Sequence, residues 1–175
     1  MGRDEEIAIE WDCQKLLRQY YHYVDKKEHE KAAELFTPDV EWSSMGVVLK
    51  GHDDILKDLH GSLGDGTIRH VFTNAVVEVI DENHAVSRSY NTNYYTRGIR
   101  IEDCDESIPF AGPHRLSGND AELVRTEDGW KISRRAMSHV FRHNPDERVG
   151  LEIWGESAGK MEKTETVSVM AAPLR

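Results

Sequence analysis

Near residue 66 the apolar residues of this chain change period, from the three-to-four spacing of helices to the two-residue alternation of strands. Upstream, Leu17, Tyr20, Tyr21 and Val24 stand at i, i+3, i+4 and i+7 and make one apolar face, which Ile7 and Trp11 extend backwards. The spacing predicts a helix over 5–25. A second helix is expected over 28–36, with Ala32, Ala33, Leu35 and Phe36 inward, stopped by Thr37-Pro38-Asp39. Residues 40–44 and 46–50 read as two short strands meeting near Met45-Gly46. A third helix follows over 53–62, with acids in its first turn and Ile55, Leu56 and Leu59 on its buried side.

Downstream, strands are expected over 70–80, 84–97, 114–125 and 130–142. Turns at 81–83 and 126–129 separate them, the second with an Asp-Gly pair that favours a tight hairpin. Residues 98–113 form an acidic stretch of weak periodicity, read as a long loop covering a site. Helices segregated from strands imply an α+β domain, with helices packed on one face of a curved antiparallel sheet. That domain spans 1–143; residues 144–175 have no strong period and read as a C-terminal extension or tail. Tyr90, Thr92, Tyr94 and Leu123 suggest a sheet face that a partner covers.

Charge excludes some functions. The formal net charge is −10, so nucleic acid and anionic membrane are poor partners. Cys13 and Cys104 are the two cysteines, too few for a disulfide framework or a thiolate metal site, and neither has a neighbour that would activate it. The N-terminus lacks an apolar signal region and no apolar run reaches spanning length, so a cytoplasmic protein is expected. His139 and His143 have the HxxxH spacing of a helical metal site. On a strand that spacing separates them by about 13 Å, so no metal is expected.

Two residues stand out for chemistry. Asp25 ends the first helix on the side of the aromatic stripe, where a carboxylate is costly to bury without a partner. It is equally placed to cap the next helix. His70 begins a strand whose inward face is shared by Phe72 and Asn74. A histidine beside an acid is a physiological-pH base, yet sequence spacing alone does not bring these two together. Trp42 points inward on its strand, as core or as pocket wall. Arg134 and Arg135 fall on opposite faces of the last strand, and Arg135 is taken as the inward one, suited to an anionic or carbonyl group.

Several runs carry a family likeness: Tyr21-x-x-Val24-Asp25-Lys26, Ala33-x-Leu35-Phe36-Thr37-Pro38-Asp39-Val40-x-Trp42, and Gly51-His52-Asp53-Asp54-Ile55. His70-x-x-x-Asn74 and Asp128-Gly129-Trp130-Lys131-Ile132 complete it. Over residues 7–143 the chain resembles a SnoaL-like domain of the nuclear-transport-factor-2-like (NTF2-like) superfamily, in its scytalone dehydratase and hexachlorocyclohexane dehydrochlorinase branch. The resemblance implies a cone-shaped α+β barrel in which Asp25 pairs with His70, and it matches Asn119 to a substrate-contacting asparagine. The chain departs from the dehydratase pattern at Val24 and Ser44, where tyrosines would stand, and at Tyr95, near a second histidine.

The reading that follows is a cofactor-free lyase that eliminates water from a small, cyclic, hydroxylated carbonyl compound. His70 would remove the proton, Asp25 would orient it, Tyr21, Tyr95 and Asn119 would hold oxygens, and Trp42 and Phe72 would form walls. An isomerase or polyketide cyclase with the same pair, and a non-catalytic small-ligand binding module, stay open. The resemblance also implies a homotrimer, with a homodimer as runner-up.

Overall fold

In the computed structural model the described residues are 1–44, 46–62, 66–101, 107–108 and 112–142. The expected tail, 144–175, and most of the acidic loop, including Cys104, lie outside them. Helix α1 (Arg3–Asp25) carries Asp4, Glu5 and Glu6 in its first turn, where the helix dipole favours acids. Its buried stripe is Ile9, Cys13, Leu16, Leu17, Tyr20, Tyr21 and Val24. The stripe therefore does not run back through Ile7 and Trp11, which are exposed. At 100° per residue, steps of four from Leu17 reach Cys13 and Ile9, whereas Trp11 falls on the flank. There its indole carries the Arg18 guanidinium, 5.7 Å from the ring centroid.

Lys27, at φ 58°, turns the chain out of α1. Helix α2 (His29–Ala33) is shorter than expected, and Phe36, expected on it, is the first residue of strand β1 (Phe36–Ser44). The sheet captures this segment: Ile132 N–H donates to Leu35 O at 2.9 Å, and Phe36 pairs with Ile132. A partner 96 residues away leaves no mark on local periodicity. Strand β2 (Val47–Lys50) folds back on β1, and α3 (Gly51–Ser62) follows. Gly51 takes φ 73° with Pro38 O only 3.1 Å from where a Cβ would stand, so a side chain there would meet both strain and contact.

Strands β3 (Thr67–Val79), β4 (His84–Thr96), β5 (Arg115–Thr126) and β6 (Gly129–Arg142) form the expected antiparallel meander. The whole sheet is mixed rather than antiparallel throughout, in the order β2-β1-β6-β5-β4-β3, because β1 inserts parallel to β6. It stays open, and the helices pack on one side, α1 over β3 and β6 and α3 over β1 and β2.

Two face assignments change. The register slips between Thr73 and Val76, where Asn74 takes φ 52°, so Asn74 leaves the face of His70 and Phe72. Leu123, expected on a covered outer face, is 1% exposed and belongs to the core with Phe36, Val40, Ile55 and Ile132. Along β4 the buried side chains are Ala85, Ser87, Ser89, Asn91 and Asn93, four of the five polar, while Tyr90 and Tyr94 point out. A strand that buries its polar side under helices is lining something other than an oil-like core.

Candidate active site

The helix layer and the sheet enclose a cavity of about 530 Å³. His70 lines it from β3, Asn91, Asn93 and Tyr95 from β4, Arg115 from β5, and Arg135 and Met137 from β6. Tyr20 and Tyr21 of α1, Trp42 of β1 and Asp58 of α3 close the other side.

Asp25 is the last residue of α1 and stands behind His70. Its Oδ1 accepts from His70 Nδ1 at 2.6 Å and its Oδ2 accepts from the His70 backbone N–H at 2.9 Å. Both carboxylate oxygens are thus committed to one residue, which fixes the imidazole's orientation. An Nδ1–H donated to a carboxylate leaves the lone pair on Nε2. The two side chains are only 9% (His70) and 15% (Asp25) exposed. Glu28, not Asp25, occupies the N-cap position of α2, so the capping alternative does not describe this aspartate. The Tyr21 ring packs against the imidazole, with centroids 5.1 Å apart.

Arg135 forms the second cluster. Its Nη2 donates to Tyr21 Oη at 2.7 Å and to Asn119 Oδ1 at 2.8 Å. Its guanidinium carbon lies 4.4 Å from the Tyr20 ring centroid and 4.7 Å from that of Trp42, so the cation is boxed by aromatic faces. Burial disfavours its charge, but the two tyrosines outweigh that and raise its pKa. Burial pushes the Tyr20 phenol up to about 12 and raises Tyr21 as well, so both remain neutral donors at physiological pH. Burial also raises the pKa of the Asp58 carboxyl from its ordinary value. The Cys13 thiol is pushed up to about 12, first by burial and then by Asp12, which makes it inert.

Of the expected site residues, Tyr21, Trp42, His70, Tyr95 and Arg135 line the cavity. Phe72 and Asn119, expected as pocket wall and oxygen holder, are not among the residues lining the cavity. Phe72 packs against the Tyr21 ring, with centroids 5.2 Å apart, and Asn119 Oδ1 accepts from Arg135. Asp58, Asn91, Asn93 and Arg115 line the cavity as well, although residue type alone does not mark them as site residues. Asp58 shares a helical face with Ile55 and Leu59, and the alternation along β4 places both asparagines on the side opposite Tyr90 and Tyr94. Those signals were present in the periodicity; only their polarity hid them. Buried atoms Trp42 Nε1, Asn91 Oδ1, Asn93 Oδ1, Arg115 Nε and Arg135 Nη1 have no hydrogen-bond partner within the protein, and all five residues line this cavity. His139 sits on β6 with its Nε2 accepting from Arg115 Nη1 at 2.6 Å, while His143 lies outside the described residues. Among the described residues, no three potential ligands gather into a metal site, and no helix is long and apolar enough to cross a membrane.

An open, helix-backed mixed sheet around a cavity is the architecture of the NTF2-like superfamily. The chain belongs to the SnoaL-like domain family, whose sequence model matches residues 5–136. An uncharacterized protein of Mycobacterium tuberculosis is 28% identical over 145 residues, covering 78% of this chain and 89% of its own length. Among solved structures, a candidate scytalone dehydratase of Novosphingobium aromaticivorans superposes with a TM-score of 0.66 at 20% identity, over 85% of this chain and all of its own. A type 2 hexachlorocyclohexane dehydrochlorinase gives 0.62 at 17% identity, over 80% and 90%. Aln2 from a Streptomyces species gives 0.63 at 19%, over 77% and 91%. At these identities the structural likeness speaks for the fold.

Proposed function

We propose that the cavity is the active site of a cofactor-independent, dehydratase-like lyase acting on a small cyclic β-hydroxy carbonyl compound. The observation that carries this reading is the doubly bonded Asp25–His70 pair, with the imidazole on the cavity wall and the aspartate behind it. His70 Nε2 takes the proton from the carbon next to the carbonyl, and Asp25 balances the charge that develops on the imidazole. The electron pair left on carbon moves into the carbonyl, whose oxygen accepts a hydrogen bond from Arg135 Nη1, the unpaired N–H of the boxed guanidinium. As the carbon–carbon double bond forms, the β-hydroxyl departs as water with a proton from Asp58, the acid that burial keeps toward its protonated form. Trp42, Tyr20 and Tyr95 bound the ring of the substrate. The names of two fold neighbours, a dehydratase and a dehydrochlorinase, fit an elimination.

A mass-spectrometric screen of cyclic β-hydroxy ketones with wild type and His70→Ala tests the reading. Loss of water that requires His70 supports it. A His70-dependent rearrangement at unchanged mass would move the assignment to an isomerase or cyclase, and ligand capture without turnover in either protein would leave a binding module. The exposed Val71, Tyr90 and Tyr94 of the outer sheet face support an assembly of copies, as a homotrimer, to be checked by light scattering.

A further inference from the structure

The cavity wall is cationic although the chain as a whole is strongly acidic. Arg97, Arg115 and Arg135 line it against Asp58 alone among the carboxylates of the described residues. Neither Arg115 nor Arg135 makes an ion pair among the described residues, and each buries one N–H with no partner in the protein. A guanidinium taken from water without an anion is costly, and evolution normally supplies the anion from the same chain.

Arg135 is accounted for by its aromatic box, Tyr21 and Asn119. Arg115 is not. His139 Nε2 takes its Nη1 at 2.6 Å and so fixes the side chain while contributing no negative charge. Burial first, and the cation of Arg142 second, press against the Arg115 charge.

The sheet register says where Arg115 stands relative to the base. His70 pairs with Asn93 across β3–β4, and Asn93 pairs with Arg115 across β4–β5. All three side chains line the cavity, so they form one row across three strands. Two strand spacings put the His70 and Arg115 backbones about 10 Å apart, which leaves the breadth of one or two fused rings between the side-chain tips. Asn93 Oδ1, buried and unpartnered, lies between them.

We infer that Arg115, set by His139, is an anion subsite at the far end of this row, and that the natural ligand is an organic acid whose carboxylate it receives. A monoanion matches the single guanidinium, and the fork of Nε–H and a terminal N–H suits a planar carboxylate. This deepens the lyase reading by naming the substrate class, and it rests on that reading only for the cavity being the ligand site.

Naphthoate and its uncharged counterpart naphthamide are the probes, with binding followed by quenching of tryptophan fluorescence, since Trp42 lines the cavity. Wild type is expected to bind naphthoate at least about tenfold tighter than naphthamide. Arg115→Gln should abolish that preference, and Arg115→Lys should keep part of it. His139→Leu, which withdraws the acceptor from Nη1, should reduce the preference several-fold, and serves if Arg115→Gln fails to fold by circular dichroism. Equal binding of the two probes by wild type overturns the anion subsite and leaves the cavity reading standing. A preference that survives in Arg115→Gln overturns it too. Binding of neither probe overturns both.

Discussion

Two of the short histidine contacts in this molecule, those of His70 and His29, could hardly be less alike. His70 meets the Asp25 carboxylate at 2.6 Å and opens onto the cavity. His29, on α2, meets another imidazole, that of His60 on α3, with Nδ1 atoms 3.0 Å apart, and its own Nε2 is buried without a partner. In the first pair an acid fixes the tautomer and leaves a lone pair facing space where a substrate fits. In the second, one ring must donate and the other accept, so the pair holds a single bridging proton between two helices, and neither ring lines the cavity that His70 faces. A chemically useful histidine is defined by what holds one nitrogen and what the other can reach.

The comparison is broken most forcefully at His70. His70→Ala should keep the fold and lower turnover by about 10²–10⁴-fold, the usual contribution of a positioned base, read as kcat on a substrate from the screen. Asp25→Asn should retain the contact while mis-setting the tautomer, so kcat falls with little change in KM. Asp58→Asn should cost less, about tenfold to a hundredfold, because only the departing hydroxyl loses its proton donor.

Arg135→Met removes a structural support together with the hydrogen bond proposed for the carbonyl oxygen. It leaves Tyr21 Oη and Asn119 Oδ1 without their donor, and the protein should lose about 2 kcal/mol of stability in urea unfolding. The smallest effect belongs to the other histidine pair. Burial, and after it the neighbouring His60, lower the His29 pKa; Glu30 opposes this and Lys27 adds to it. A folded pKa below the unfolded one means the native state resists protonation. Stability is therefore complete above the unfolded value, near 6.5, and falls as pH drops below it through the folded value. His29→Gln should flatten that slope in thermal melts run across this range, while a His70 substitution acts on turnover at every pH.

How much of this was legible beforehand differs element by element. The meander and the aromatic stripe of α1 follow from period alone, since each depends on neighbours a few residues away. Period puts Arg134 and Arg135 on opposite faces, but it is the register shift between Glu122 and Leu123 that makes Arg135 the buried one. Phe36 was misread as helical because a strand 96 residues distant decides its state. The Asn74 bulge was missed because a left-handed asparagine inside a strand leaves the alternation on either side intact. The site divides in the same way. Asp25 and His70 were singled out by residue type and by family likeness, whereas Asn93 and Arg115 became visible only as a row, which exists in register and not in sequence.

The central claim is that His70, held by Asp25, removes a proton from carbon within the cavity. Deuterium uptake by α-tetralone in heavy water tests it most directly, because the ketone has an exchangeable carbon-bound proton beside its carbonyl and nothing to expel. Wild type, followed by proton NMR, should exchange that position well above the buffer rate, and His70→Ala and Asp25→Asn should fall toward the buffer rate with His70→Ala the lower. Exchange that persists at the wild-type rate in His70→Ala, in protein shown to be folded, would contradict the account.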